Sequence, residues 1–181
     1  MERELVERAM HGDEEAFDAL VRRIGDFLHS VARRILRDTT LAQDATQRAL
    51  LDAWRYLPTL RGPDRFQAWT HRLLVNACYA EARRERRQHG NLPPLARDDF
   101  ETDATARIAT QDQLDRGFRR LSLEHRTVVV LVHYLGLTPT EAAERMGTPA
   151  GTARSRLHYA LLQLRAALDA DARAVPTRGT A

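Results

Sequence analysis

The apolar residues of this chain recur at helical spacing along most of its length. Over Glu14–Arg37 they are separated by three and four positions, which is the pattern of a helix with one buried face. Similar spacing predicts helices over Glu4–Met10, Leu41–Leu57 and Phe66–Arg87. The β-branched run Thr127–Val132 is the one candidate strand, and we interpret it as helix because helical patterns flank it. The sequence therefore predicts an all-α fold.

The helical pattern stops between residues 89 and 110, where Gly90, Pro93 and Pro94 stand near four acidic residues. Beyond it the pattern resumes, and we expect Trp54, Leu114 and Leu161 among the buried positions of the helices. We predict two small helical domains joined by a flexible acidic linker: an N-terminal block (1–88), the linker (89–110), a C-terminal block (111–170) and a polar tail (171–181).

Charge and composition narrow the class of protein. All 28 basic residues are arginine, and the formal net charge is +3. Four of the arginines, Arg83, Arg84, Arg86 and Arg87, surround one glutamate, and such a cluster attracts polyanions. The single cysteine, Cys78, excludes an internal disulfide framework and a cysteine-rich zinc site. With no apolar run long enough for a membrane span, we expect a cytoplasmic protein that does not insert into membranes.

The sharpest local pattern lies in the C-terminal block. The residues from Thr138 to Glu141 form a capping box with a first-turn proline, and Thr148-Pro149 repeats the start of a capped helix. Two capped helices separated by a short turn predict a helix-turn-helix motif. On its second helix, predicted over Pro149–Leu168, an outward face is formed by small or polar residues: Gly151, Arg154, Ser155 and His158. Arginine grips guanine edges in the major groove, so this face is predicted to read duplex DNA.

A second candidate surface lies on the helix that begins at Phe66. Arginines and aromatic residues alternate along it, after a loop that carries Arg61 and Arg65; they are Trp69, Arg72, Asn76, Tyr79 and Arg83. Aromatic rings stack on unpaired bases while arginines follow the backbone, and an amide can read the pairing edge of a base. The residues alone leave open the alternative that Phe66 and Trp69 are simply core.

Motifs of catalysis are missing from the sequence. It has no HExxH, no glycine-rich phosphate loop and no GxSxG, and its seven histidines show no metal-ligand spacing. We expect no catalytic residues, no metal and no cofactor, and therefore a protein that is not an enzyme.

Both blocks resemble the extracytoplasmic-function (ECF) sigma factors of the sigma-70 family, which are subunits of bacterial RNA polymerase. The resemblance is carried by HGDEEAFDALVRR, DATQRALLDAWRYL and RFQAWTHRLLVNACYAEARRERR in the N-terminal block. In the C-terminal block it is carried by RLSLEHRTVVVLVHYLGLTPTEAAERMGTPAGTARSRLHYALLQLR. The resemblance implies a promoter-specificity factor that binds core polymerase, duplex promoter DNA and melted promoter DNA.

The resemblance also implies roles for individual residues. Asp44, Gln47 and Arg48 match the motif that contacts the β′ clamp helices, although the family more often has an acid at the position of Arg48. The surface that opens the minus-ten element would comprise Arg61, Arg65, Trp69, Arg72, Asn76 and Arg83. The helix that reads the minus-thirty-five element would use Thr152, Arg154, Ser155, Arg156 and His158. The β flap of polymerase and an anti-sigma factor are further partners that the resemblance implies.

Two other classes of function remain open from the residues alone. A helix-turn-helix regulator could bind its operator without joining polymerase, and its N-terminal block would then serve oligomerisation or sensing. A helical module could also bind only protein, in which case substitution of Arg154 would change no activity.

Overall fold

The computed structural model describes residues 2–89 and 108–174, and the side chains of 2–88 and 114–170. The N-terminal block contains four helices: α1 (Glu2–Met10), α2 (Glu14–Leu36), α3 (Thr39–Tyr56) and α4 (Phe66–His89). The C-terminal block contains α5 (Ile108–Arg120), α6 (Leu123–Val129), α7 (Pro139–Met146) and α8 (Ala150–Ala174). The described residues contain no strand, and the all-α prediction is confirmed.

Aspartates begin helices α2 and α3 of the N-terminal block. The Asp13 carboxylate accepts a hydrogen bond from the Ala16 amide (3.0 Å), and Asp38 accepts one from the Leu41 amide (2.8 Å). These N-caps satisfy amides that have no partner within the helix. Between them α2 ends at Arg37, which is the only non-glycine residue with positive φ (58°) in the described part of the chain. The left-handed turn at Arg37 reverses the chain so that α3 packs against α2.

Small side chains bring the helices of the N-terminal block close together. The buried face of α3 consists largely of alanines, and it packs with α2 and α4 around Leu28, Ile35, Leu74 and Val75. A separate apolar cluster lies beneath α1. It is formed by Val6, Ala9, Ala16, Leu20, Leu57, Leu60 and Phe66, and it ties the loop between α3 and α4 to the start of α2.

Helix α6 of the C-terminal block is followed directly by a π-helical segment. The β-branched run is α-helical to Val129 and π-helical over Val130–Tyr134. The predicted helix end at Gly136 is confirmed, since φ there is +69° and the Leu137 amide donates to the Leu131 carbonyl (3.1 Å). A residue at positive φ is the usual end of a helix, and glycine adopts it without strain.

The two blocks pack against each other. Their buried apolar side chains form one continuous cluster, with α4 against α7 and α2 against α6. Arg37 and Asp115 form an ion pair across the interface (3.3 Å), and the Ser30 and Tyr134 hydroxyls are 3.1 Å apart. The sequence did not predict this contact, because its residues are far apart along the chain.

Several sequence predictions need correction. Trp54 is 37% exposed, and Leu114 and Leu161 are also exposed rather than buried. Helix α5 begins at Ile108, within the stretch predicted as linker, and α8 continues to Ala174, within the predicted tail. The central part of the predicted linker, residues 90–107, lies outside the described residues.

Candidate nucleic-acid interface

The helix-turn-helix motif is formed by α7 and α8. The Thr138 hydroxyl accepts from the Glu141 amide (3.2 Å), and the Glu141 carboxylate accepts from the Thr138 amide (2.8 Å). This is the predicted capping box, and its hydrogen bonds from Thr138 hold the pKa of Glu141 below its usual value. Gly147 then ends α7 at φ +63°. The turn is thereby fixed by short-range contacts.

The second predicted cap is wrong in detail. Helix α8 begins at Ala150, and the buried Thr148 hydroxyl has no hydrogen-bond partner among the described residues. The Thr148 amide instead donates to the Ala143 carbonyl (3.0 Å), so this residue closes α7 rather than capping α8.

The predicted recognition face of α8 points to solvent. Ala153 and Ala160 are fully buried, whereas Arg154, Ser155 and His158 are exposed. A Cβ added at Gly151 would meet no atom within 4 Å, so the space beside this glycine is open to a partner. The four positions therefore form one accessible surface along the first turns of α8.

The remaining two predicted positions on α8 are less accessible. Thr152 is half-buried, and its carbonyl accepts a hydrogen bond from the Ser155 hydroxyl (3.0 Å). Arg156 is half-buried on the side of α8 that faces the N-terminal block, where its charge acts on Tyr79. Tyr159 lies next to the recognition face and is 59% exposed, its ring edge-on to His158. The sequence analysis missed this residue, although its position beside His158 was the available signal.

The second predicted surface follows one side of α4. Arg72, Asn76 and Arg83 are exposed at helical spacing, and Arg61 and Arg65 extend the surface into the preceding loop. Gly62, at φ +104°, makes the turn between those two arginines. Trp69 is half-buried and packs beside Phe66, with ring centroids 6.4 Å apart. One edge of Trp69 thus belongs to the core and another remains accessible, so both earlier interpretations apply to it.

The polymerase-contact positions lie along α3. Asp44, Gln47 and Arg48 are all exposed, and Arg48 is within 3.6 Å of Asp52. Gln47 lines a cleft of about 800 Å³ between α2 and α3. The α2–α3 cleft is lined by both apolar and acidic side chains. They include Phe17, Leu50, Leu51 and Trp54, with Glu14, Asp18 and Asp26.

Sequence reasoning missed the apolar part of the α2–α3 cleft. Leu51 is 58% exposed, and Trp54 packs against Phe17 with the two rings tilted and their centroids 4.9 Å apart. The signal was present, because the apolar residues of α3 cover more of its circumference than one buried face needs. Large apolar side chains that are exposed together typically mark a binding surface, whereas single exposed apolar side chains do not.

The two blocks match separate family models. The model described as Sigma-70 region 2 matches residues 20–88, and the one described as Sigma-70, region 4 matches residues 117–166. The ECF RNA polymerase sigma factor SigM of Mycobacterium tuberculosis is 35% identical over 166 residues, covering 89% of this chain and 81% of SigM.

Solved structures give the same result. CnrH, in complex with the cytosolic domain of CnrY, has a TM-score of 0.66 and 28% identity, covering 94% of this chain and 98% of CnrH. The sigma factor RpoE of Bartonella quintana, in complex with the anti-sigma factor NepR, has a TM-score of 0.66 at 22% identity, covering 86% and 98% of the two chains. The RpoE comparison supports the fold.

A helix-turn-helix with an exposed recognition face places the protein in the class of DNA-binding transcription factors. The class is narrowed by the two sigma-70 family models, which match in this order along the chain, and by the similar sigma factors. The chain belongs to the ECF sigma factors of the sigma-70 family. In the part of the chain that the structure describes, no helix is long and apolar enough to cross a membrane.

Proposed function

We propose that this sigma factor divides promoter recognition between its two blocks, with α8 reading duplex DNA and α4 holding melted DNA. The observation that carries the proposal is the presence of both surfaces on one chain. Arg154, Ser155 and His158 are exposed on α8, while Arg72, Asn76 and Arg83 are exposed on α4.

Arg154 is the residue best suited to specify a base. Its guanidinium presents two parallel donors, which match the O6 and N7 acceptors of guanine in the major groove. Ser155 and His158 would contact neighbouring bases, and Thr152 and Arg156 would contact the backbone at the edge of the surface. Contacts with the DNA backbone position the helix but do not select a base sequence.

Asn76, exposed on α4, would bind an unpaired base in the minus-ten element. Its amide can hydrogen-bond to a pairing edge, while Trp69 offers a ring edge, and Arg61, Arg65, Arg72 and Arg83 follow the phosphates. Binding of a flipped base offsets the few kcal/mol that unstacking costs. Opening of the promoter would then be driven by binding energy alone. We therefore propose that the protein has no catalytic activity of its own.

The α2–α3 cleft is the proposed docking site for the β′ clamp helices of polymerase. Gln47 lies in it, and Asp44 and Arg48 lie on the same helix. Leu51 and Trp54 would supply the apolar contact, while the acidic side chains of the cleft would meet basic residues of the partner. The β flap is the proposed partner of the C-terminal block.

An anti-sigma factor is a further proposed partner. CnrH was solved in complex with the cytosolic domain of CnrY, and RpoE in complex with the anti-sigma factor NepR. Because polymerase and promoter DNA are cytoplasmic in bacteria, we place the activity of this chain in the cytoplasm.

Run-off transcription on fragmented genomic DNA tests the proposal. Purified core polymerase should start transcripts at defined positions only when this protein is added. Transcription no higher than with core alone, by folded protein without a bound inhibitor, would refute it. Tight binding of the protein alone to duplex DNA, together with no affinity for core, would favour a regulator that acts without polymerase.

A further inference from the structure

Helix α1 precedes the part of the chain that the Sigma-70 region 2 model matches, which begins at residue 20. It is nevertheless packed into the N-terminal block, since Val6 and Ala9 are each only 1% exposed. One side of α1 is therefore buried within the chain, and what it packs against indicates what α1 does.

Helix α1 packs against the loop that joins α3 to α4 (residues 57–65, the α3–α4 loop). It contacts both 3₁₀ turns of this loop, Leu57–Thr59 and Pro63–Arg65. Burial in a shared apolar cluster removes these side chains from water and so holds the loop against α1. From the loop and the start of α4, the side chains in the cluster are Leu57, Leu60 and Phe66.

Among the described residues, the backbone hydrogen bonds that form the α3–α4 loop join positions two or three apart. The Leu60 amide donates to the Leu57 carbonyl (3.0 Å), and the Arg65 amide donates to the Gly62 carbonyl (3.2 Å). Such bonds shape each turn, but they do not fix the loop relative to the rest of the block. The contact with α1 supplies that restraint.

Arg3 of α1 also bonds to the α3–α4 loop. Its Nη1 donates to both carboxylate oxygens of Asp64, at 3.1 and 3.3 Å, and its Nε donates to Glu7 (3.0 Å). Glu7, one turn further along α1, thus helps to hold the guanidinium beside Asp64. Asp64 directly precedes Arg65 in the chain. Arg65 belongs to the surface proposed above for melted DNA, here called the melted-DNA surface, which comprises Arg61, Arg65, Trp69, Arg72, Asn76 and Arg83.

The apolar cluster beneath α1 supports Trp69 as well as the loop. Trp69 is half-buried and packs against this cluster, with its ring centroid 6.4 Å from that of Phe66. Phe66 is only 3% exposed. A displacement of α1 would therefore disturb the packing under Trp69 and under the loop arginines together.

We propose that α1 is a platform that holds the melted-DNA surface in its binding conformation, with Val6 and Arg3 as positioning residues. Val6 supports the α3–α4 loop through the apolar cluster, and Arg3 restrains the loop at Asp64. A loop that is ordered before binding loses less conformational entropy when its ligand binds, so it binds more tightly. The inference rests on the proposed function of α4, and neither positioning residue needs to touch DNA.

Fluorescence anisotropy with the holoenzyme, at saturating core polymerase, tests the platform. The probe is a labelled nontemplate strand that spans the minus-ten element of a promoter identified by run-off transcription. Val6→Ala should weaken binding of this strand about three- to tenfold. It should also reduce the preference for this strand over one that differs at a single minus-ten base.

Val31→Ala is the matched control for Val6→Ala. Val31 is also 1% exposed in the N-terminal block, but it belongs to the other apolar cluster. Its substitution should destabilise the fold to a similar degree while changing strand affinity less than twofold. Equal losses of strand affinity in the two variants, or no loss in Val6→Ala, would overturn the proposal.

The Arg3–Asp64 pair gives a second test that leaves the apolar cluster intact. Arg3→Gln and Asp64→Ala should each weaken strand binding about two- to fivefold. The double variant should bind no more weakly than either single variant, because both substitutions remove the same interaction. Arg22→Gln, at an exposed ion pair within α2, should have no effect.

A direct contact between Arg3 and a DNA phosphate makes different predictions. Asp64→Ala would then tighten strand binding, because it removes an acid beside the DNA. Arg3→Gln would also lower the slope of log affinity against log salt by about 0.7. Tighter or unchanged binding by Asp64→Ala, or such a change in slope, would overturn the positioning role of Arg3.

Failure of the platform can be told apart from failure of the proposed function. If wild-type holoenzyme does not bind the strand, both are overturned. If wild type binds it and the substitutions at Val6, Arg3 and Asp64 leave binding unchanged, only the platform is overturned. If Val6→Ala does not fold, the Arg3–Asp64 comparison carries the test, because both of its residues are exposed.

Discussion

Arg37 and Asp115 form an ion pair of 3.3 Å that joins the end of α2 to α5, 78 positions further along the chain. Arg37 has left-handed backbone geometry, and its side chain is almost entirely buried. The same residue therefore ends a helix of one block and holds a helix of the other.

Asp115→Asn should weaken the contact between the two blocks. The substitution removes the charge that faces a buried guanidinium, and a hydrogen bond to a charged group contributes about 1.5–3 kcal/mol. The free energy of unfolding, measured by urea denaturation of the full chain, should fall by about that amount. Asp64→Asn is the control, because Asp64 pairs with Arg3 at an exposed site and such pairs contribute little. Equal effects of the two substitutions would contradict the role of Asp115.

Thr138→Ala should destabilise the C-terminal block through loss of the capping box. The expected loss is about 1 kcal/mol in the free energy of unfolding, measured by urea denaturation of the full chain. Thr140→Ala is the matched control, since Thr140 is exposed in the same turn and outside the capping box. Because the pKa of Glu141 is lowered, the stability it adds should be lost as the pH falls below about 4.5. A Thr140→Ala effect as large as that of Thr138→Ala would count against the cap.

Arg154→Ala should reduce promoter discrimination by about 1–3 kcal/mol, if its guanidinium grips a guanine. The measurement is competition binding of the holoenzyme to promoters that differ at one base pair of the minus-thirty-five element. Arg165→Ala, at an exposed arginine further along α8, should weaken binding to all sequences alike. Unchanged base preference in Arg154→Ala would remove Arg154 from direct readout.

Leu51→Ala should weaken binding to core polymerase about five- to thirtyfold without unfolding the protein. Leu51 is 58% exposed, so its loss should change stability by about 0.5 kcal/mol or less, while burial against a partner would contribute more. Fluorescence anisotropy with purified core measures the affinity. Tyr56→Ala substitutes an exposed side chain of α3 outside the α2–α3 cleft and should leave the affinity unchanged. Equal affinities of wild type and Leu51→Ala would place docking elsewhere.

Asn76→Ala should impair initiation on duplex promoters more than on promoters that are already melted. The substituted side chain would no longer help to hold an unpaired base, and that contribution matters most when strands must be separated. Abortive transcription on the two templates measures the difference. Gln67→Ala is the control, because Gln67 is exposed on the opposite side of α4. Equal losses on both templates would argue against a role in melting.

The features that the sequence predicted well depend on residues close together in the chain. The capping box spans four residues, and its residue types specify both hydrogen bonds. The helix end at Gly136 likewise needs only one positive φ. The exposure of Arg154 followed from the burial of Ala153, because neighbouring positions on a helix point about 100° apart.

The features that the sequence could not predict depend on contacts between distant elements. Nothing near Arg37 indicates that Asp115 is its partner. The apolar spacing of α3 predicts Trp54 in the core, yet Trp54 lines an open cleft. Apolar periodicity predicts which face of a helix is apolar. A face that binds another protein has the same pattern as a face that is buried within the chain.

Permanganate footprinting of a promoter identified by run-off transcription tests the division of labour between the blocks most directly. Thymines in the minus-ten region should become reactive only when core polymerase and this protein are both present, and Asn76→Ala should reduce that reactivity while DNase protection at the minus-thirty-five element persists. Thymines that remain unreactive in the complete complex, or that react equally with core alone, would contradict the account.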